Sequence, residues 1–327
     1  MGDGLRTLIA RRVLQGGVIV FLVASFTFFL IHLAPGDPFS AAMESGYLTP
    51  ATRAQLRTSF GLDRPLPEQY WLYLRNVARG DLGYSFSMRR PVSEALSLAL
   101  PNTLVLMSVA LAASFAFGIL LGVVQARRSG SLLDRGASAM SLFFYSMPDF
   151  WLALMAILVF AYWLPLFPTS GMYDPVLNSY FTTWQKLGDR AAHLVLPAAT
   201  LTLLTAAAIA RHQRSAVLEA VGQDYVRTAR AKGAGENRVL WHHVLRNALL
   251  PVITIFGLAF PALLGGAVFV EKIFAWPGMG YLSVNAIASR DYPLVTASMI
   301  IASLLVVLGN LLADILYAAA DPRLRSY

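Results

Sequence analysis

Cysteine is absent from the 327 residues, which excludes disulfide staples, thiolate metal sites and cysteine nucleophiles together. Lysine is nearly absent: only Lys186, Lys232 and Lys272 occur, and none is followed by Ser or Thr. A phosphate-cradling P-loop needs Gly-Lys-Ser/Thr, so that the ammonium reaches the β/γ-phosphates and the hydroxyl reaches magnesium. His32, His193, His212, His242 and His243 include no zinc-type pair around a glutamate. Gly83-Tyr84-Ser85 lacks the second glycine of a nucleophile elbow. No catalytic residue, metal site or bound cofactor is therefore expected of this chain. Charge is also scarce, 13% against the ~25% of ordinary soluble domains. With 57% hydrophobic residues and a mean hydropathy of +0.58, the chain has too little polar surface for a soluble globule and too few charges for disorder. An integral membrane protein accounts for both.

A bilayer core takes roughly 20 apolar residues as helix, and stretches near 13–33, 101–125, 137–164, 194–211, 249–271 and 294–317 qualify. The first follows Arg6, Arg11 and Arg12, yet it exceeds the ~7 to 15 residues of a signal-peptide core, and Ala34-Pro35-Gly36-Asp37-Pro38 is no small-x-small cleavage site. It reads as an uncleaved signal anchor. With the N-terminus inside, the cytoplasmic pieces 1–12, 126–136, 211–248 and 318–327 hold 15 of the 26 Lys/Arg and six of the 18 acids. The outer pieces and span ends balance 11 against 11, so the net positive charge faces one side, as the positive-inside rule requires. The expected fold is all-α: a polytopic membrane protein of six transmembrane helices, both termini cytoplasmic, forming a single domain over 1–327. The +8 net charge sits beside membrane spans, which argues for a lipid surface and against nucleic acid.

The first outer loop, 34–100, carries two helix signals. Thr49 and Pro50 open one that Gly61 stops, and Pro67 opens another through Tyr70, Trp71, Leu74 and Val77 to Gly80. They read as a lid packed on membrane helices or headgroups, with direct substrate contact as the rival. Gly118 and Gly122 form a Gly-x-x-x-Gly pair that lets helix backbones approach. Pro148 and Pro261 interrupt the third and fifth spans. Asp149 lies about eleven residues into the third span, near mid-membrane at about 1.5 Å per residue. An intramembrane carboxylate marks a pathway; it also suits a cap for the amides freed around Pro148, and both readings stand. Glu271 and Lys272 end the fifth span, where they also read as anchors. Asp149, Met147 and Glu271 are the pathway candidates.

The segment 211–248 is the most informative. Glu219 and Asp224 precede Arg227, Arg230 and Lys232, and Gly233 stands at a stop, so charge order and cap agree with one helix over about 215–232. A second helix is expected from Glu236 to Asn247. Both are too short to stand alone in water, so they pack on a partner or lie on anionic headgroups. Ala229, Ala231 and Gly233 narrow the end of the first enough to enter a groove.

These residues resemble a family, the permease subunits of binding-protein-dependent ABC importers, in the dipeptide and oligopeptide branch. The resemblance rests on Asp224-Tyr225-Val226-Arg227-Thr228-Ala229-Arg230-Ala231-Lys232-Gly233-Ala234 followed by Leu249-Leu250-Pro251. Arg227 replaces the glutamate of the general family motif, a departure similar to that of the peptide branch. Other fragments fall in the family's order: Leu33-Ala34-Pro35-Gly36-Asp37-Pro38, Gly80-Asp81-Leu82-Gly83-Tyr84-Ser85, Ser146-Met147-Pro148-Asp149, Phe274-Ala275-Trp276-Pro277-Gly278, Arg290-Asp291-Tyr292-Pro293 and Asp321-Pro322-Arg323.

The resemblance implies a non-catalytic subunit in the bacterial cytoplasmic membrane, and the long first loop looks like the first of two permeases. Its implied partners are a homologous second permease, two ATPase subunits that bind ATP and magnesium, and an extracytoplasmic binding protein. Residues 224–234 would dock on the ATPase, making 211–248 a coupling loop. Peptides are the implied substrate, with glutathione, a nickel complex or an oligosaccharide as alternatives. A secondary transporter or channel would show paired intramembrane charges and a broken-helix repeat, and an intramembrane enzyme would show the missing catalytic constellations.

Overall fold

The computed structural model describes residues 2–33 and 63–320. They form twelve α-helices and one two-stranded hairpin: α1 Gly2–Leu33, α2 Leu66–Ala78, β1 Tyr84–Ser85, β2 Arg90–Pro91, α3 Val92–Arg127, α4 Leu132–Tyr145, α5 Asp149–Ile157, α6 Thr183–Val221, α7 Asp224–Ala231, α8 Glu236–Arg238, α9 Leu245–Ala248, α10 Leu250–Ile273, α11 Met279–Ala288 and α12 Tyr292–Ala320. Two π-helical turns, Leu158–Trp163 and Val239–Val244, extend α5 and join α8 to α9. The helix expected from Thr49 to Gly61 lies outside the described residues, and its neighbour appears as α2, which starts one residue before Pro67.

Among the described residues, Ile9–Leu33, Val92–Arg127, Thr183–Val221 and Tyr292–Ile315 are long and apolar enough to cross a bilayer. α4 and α5 with its π-turn make a fifth span if they count as one, although the chain bends by 103° between them. The protein is thus an all-α, polytopic membrane protein. The third expected span, 137–164, is a broken element: α4 ends at Tyr145, Pro148 has no amide hydrogen to continue it, and α5 restarts at Asp149. α10 covers the fifth expected stretch, and its helix runs through Pro261.

The helix expected over 215–232 is two helices. α6 opens on a Thr182–Gln185 capping box and continues to Val221; Gly222 and Gln223 then turn the chain, their amides bonded to Glu219 O and Ala220 O at 3.2 Å each. Charge order along the sequence suits one helix or two. Gly222 has poor helix propensity, and the turn lets Val226 and Ala229 fold back onto Val217 and Ala220, burying all four.

The chain divides into two compact units. In the unit containing 103–276, Leu106, Met107, Leu196, Leu201, Phe274 and Trp276 are buried together. Gly118 and Gly122 are where α3 meets α6. A Cβ on Gly118 would stand 2.9 Å from Ala206 O, and one on Gly122 would stand 2.6 Å from Ala210 O and 3.0 Å from the Arg214 amide. Backbone atoms cannot swing aside, so the Gly-x-x-x-Gly spacing is a requirement of this helix crossing.

In the unit containing 11–102 and 277–305, Val92, Leu96, Leu282, Ala286, Leu294 and Val295 form the core. α2 lies on α1: Tyr73 stacks on Phe28 with ring centroids 5.2 Å apart, Tyr70 and Ser25 share a hydrogen bond of 2.7 Å, and Gln69 Oε1 is 3.2 Å from His32 Nε2. Burial pushes the Tyr73 phenol up to about 12.

Candidate functional site

α7 is held by its apolar side. Val226 is fully buried and Ala229 nearly so, against Val217, Val239, Leu240 and Val244. Asp224, Tyr225, Arg227, Thr228, Arg230, Ala231 and Lys232 are exposed. A 3.5 Å ion pair joins Arg227 to Asp224 on that outer side, and with both side chains largely in solvent it adds little stability.

The end of α7 is a Schellman motif. The Gly233 amide donates to Arg230 O at 2.9 Å, the Ala234 amide donates to Ala229 O at 3.1 Å, and Gly233 has φ +80. Nothing lies within 4 Å of a Cβ built on Gly233, so glycine is required there by backbone conformation rather than by crowding within the chain.

Beyond the cap, Arg230 grips Glu236 through Nε–Oε1 at 2.8 Å and Nη2–Oε2 at 3.2 Å. The hydrogen bond from Arg230 holds the Glu236 carboxyl below its ordinary value and raises the Arg230 guanidinium. Arg127, at the end of α3, reaches Asn237 Oδ1 at 3.4 Å. The π-turn that follows buries Val239, Leu240 and Val244 and leaves Trp241 and His242 outside. The outward Trp241 had no periodic signal to mark it, because a π-turn shifts the helical register.

The other candidates fall in two places. Met147 and Asp149 flank Pro148 in the α4–α5 break, each half-buried, and Asp149 Oδ1 accepts the Phe150 amide at 2.8 Å. Glu271 is fully buried and accepts the Thr103 hydroxyl at 2.6 Å.

One constellation had no sequence signal. Arg214, near the end of α6, makes a fork with Asp134 in the first turn of α4, Nε to Oδ1 and Nη2 to Oδ2, both at 2.8 Å. The Gly130 amide adds a bond of 2.9 Å. Arg214 first, then Gly130, holds the Asp134 carboxyl at about 2.

Residues 118–326 match the family described as binding-protein-dependent transport system inner membrane component, and residues 5–107 match the N-terminal component of the same system. The chain belongs to this family of inner-membrane transport components. It is accordingly a non-catalytic, multi-pass subunit of the bacterial cytoplasmic membrane.

Two relatives span nearly its whole length. The oligopeptide transport system permease protein AppB of Bacillus subtilis is 44% identical, covering 97% of this chain and 98% of its own. The di/tripeptide transport system permease protein DppB of Pseudomonas aeruginosa is 42% identical over the same shares. A solved structure of the MetNI methionine ABC transporter, described as inward facing, aligns with a TM-score of 0.56 at 20% identity, covering 70% of this chain and 97% of that one. That likeness establishes a shared fold.

Proposed function

We propose that the chain is a permease subunit of an ATP-driven importer of di- or oligopeptides, forming the translocation pathway with a homologous second permease. Two ATPase subunits and an extracytoplasmic binding protein complete the machine. The AppB and DppB relatives, matched over almost the full chain, favour peptides. In this reading there are six spans, both termini are cytoplasmic, 34–100 lies outside, and 211–248 is the coupling loop. The distribution of Lys and Arg supports that orientation.

The observation that carries the coupling assignment is α7 itself. A helix of eight residues, too short to persist alone, is fixed by Val226 and Ala229 while its opposite side and the open space at Gly233 face outward. ATP-driven closure of the ATPase pair would push on 224–234, and the rigid Val226 anchorage would pass that motion to α6. Asp149 and Met147 border the pathway at the α4–α5 break, where a helix interruption leaves backbone groups to be met by an aqueous or protein partner. Glu271, held by Thr103, positions the end of α10 beside it.

Gly233→Glu tests the docking. The substitution disfavours the left-handed conformation by about 1 kcal/mol or more and adds a bulky anion to the open face. Membrane insertion should persist while co-purification with the ATPase, or peptide-stimulated hydrolysis, is lost. Retention of both ATPase binding and uptake would reassign the loop as a headgroup anchor.

A further inference from the structure

A pocket of about 320 Å³ opens between the end of α3, the second half of α4 and the last third of α6, lined by Gln125, Ser138, Ser141, Tyr145, Arg211 and Arg214 among others. Its two guanidinium groups are not equivalent. Arg214 is neutralised by the Asp134 fork. Arg211 lies 5.8 Å over the Tyr145 ring and, among the described residues, has no carboxylate partner. The pocket therefore carries net positive charge.

A second observation points to a missing ligand. The buried hydroxyls of α3 and α6 each have an acceptor: Ser114 donates to Ala110 O at 2.6 Å, Thr200 to Leu196 O at 2.9 Å, Thr202 to Ala110 O at 3.4 Å and Thr103 to Glu271 at 2.6 Å. Ser141 is only 9% exposed, yet its Oγ has no hydrogen-bond partner among the described residues. An unmet buried hydroxyl is costly unless something accepts from it. The lining thus combines a cation without a carboxylate partner among the described residues and an unmet donor, with the apolar wall of Leu142, Ala207 and Ala208 beside them. That is the chemistry of an oxyanion attached to an apolar body.

We propose that this pocket binds the phosphate of an anionic phospholipid from the cytoplasmic leaflet, held by Arg211 and the Ser141 hydroxyl. The pocket lies near the ends of the expected spans 137–164 and 194–211 that meet the cytoplasm in this reading, with Ser138 and Arg211 at those ends, and basic pockets between helices on that side suit anionic headgroups. Exposed Met140, Leu142 and Phe143 on α4 provide an apolar track for acyl chains. The proposal rests on the inward orientation given above.

The whole importer, permeases with ATPases, is reconstituted in nanodiscs of phosphatidylcholine doped with phosphatidylglycerol, and retained lipids are counted by native mass spectrometry. Wild type should retain phosphatidylglycerol preferentially, Arg211→Gln should weaken retention about fivefold, and Arg211→Lys, which keeps the charge, should retain most of it. Ser141→Ala should fall between. Equal retention in wild type and Arg211→Gln overturns the site. Displacement by inorganic phosphate alone overturns a lipid in favour of a free anion, and displacement by a transported peptide overturns it in favour of a substrate subsite. Labelling of Ser215→Cys from each side checks orientation separately: external labelling would reject the topology whatever the lipid count.

Discussion

Ser85 donates its hydroxyl hydrogen to Asp291 Oδ2 across 2.6 Å, joining residues 206 apart in the sequence. The same oxygen accepts from the Ser87 amide at 2.9 Å and the Ser87 hydroxyl at 2.7 Å, while Oδ1 takes the Leu294 amide at 3.3 Å in the first turn of α12. One carboxylate thus fastens the β1–β2 hairpin to the start of α12, in a setting where Ser85 and Asp291 are almost wholly buried. Asp291→Ala would leave these donors unmet, at a cost of about 2–3 kcal/mol. Asp291→Asn, which keeps one acceptor oxygen, should cost less. Thermal unfolding of the purified permease checks the order, and an unchanged Asp291→Ala would show that the clamp does not hold the hairpin.

Glycines on these helices should respond oppositely to alanine. Gly122→Ala forces a Cβ against Ala210 O and should destabilise by about 1–3 kcal/mol through helix separation. Gly136 and Gly188, helical and with open space around a built Cβ, should gain about 0.5–1 kcal/mol from alanine. Equal responses at all three positions would contradict a backbone contact between α3 and α6.

The Asp134–Arg214 fork gives a pH signature. Asp134 is held at about 2 by Arg214 and Gly130, below the ~3.9 of a free aspartate. A carboxyl lowered by folding contributes its full stability above the unfolded value and loses it as pH falls through the folded one. The difference in melting temperature between wild type and Asp134→Asn should therefore be full near neutrality, shrink below about pH 4 and vanish near about pH 2. A pH-independent difference would mean that the fork is not an ion pair in solution.

What was legible in the sequence was local. Gly233 as a stop, the charge order from Asp224 to Lys232 and the Gly118–Gly122 spacing all act within one or two helical turns, and each has its expected place. The turn at Gly222 was not legible, because the flanking charges suit a continuous helix equally well and only burial of Val226 favours folding back. The Asp134–Arg214 and Ser85–Asp291 bonds span 80 and 206 residues. Periodicity within a segment carries no information about partners that far apart. Asp149 is intermediate: its contact with the Phe150 amide was foreseeable from Pro148, while its half-burial is a tertiary property that no local pattern carries.

In the assembled importer, α7 should present its outer side to an ATPase subunit. The native chain has no cysteine, so single cysteines report without background. Thr228→Cys, exposed, and Val226→Cys, buried, can each be tested in the assembled importer against cysteines on the ATPase surface. Rapid disulfide crosslinking from position 228, changing in yield when ATP is added, with none from position 226, is the predicted result. Efficient ATPase crosslinking from the 34–100 loop instead, with none from any exposed α7 position, would show that α7 is not the docking helix.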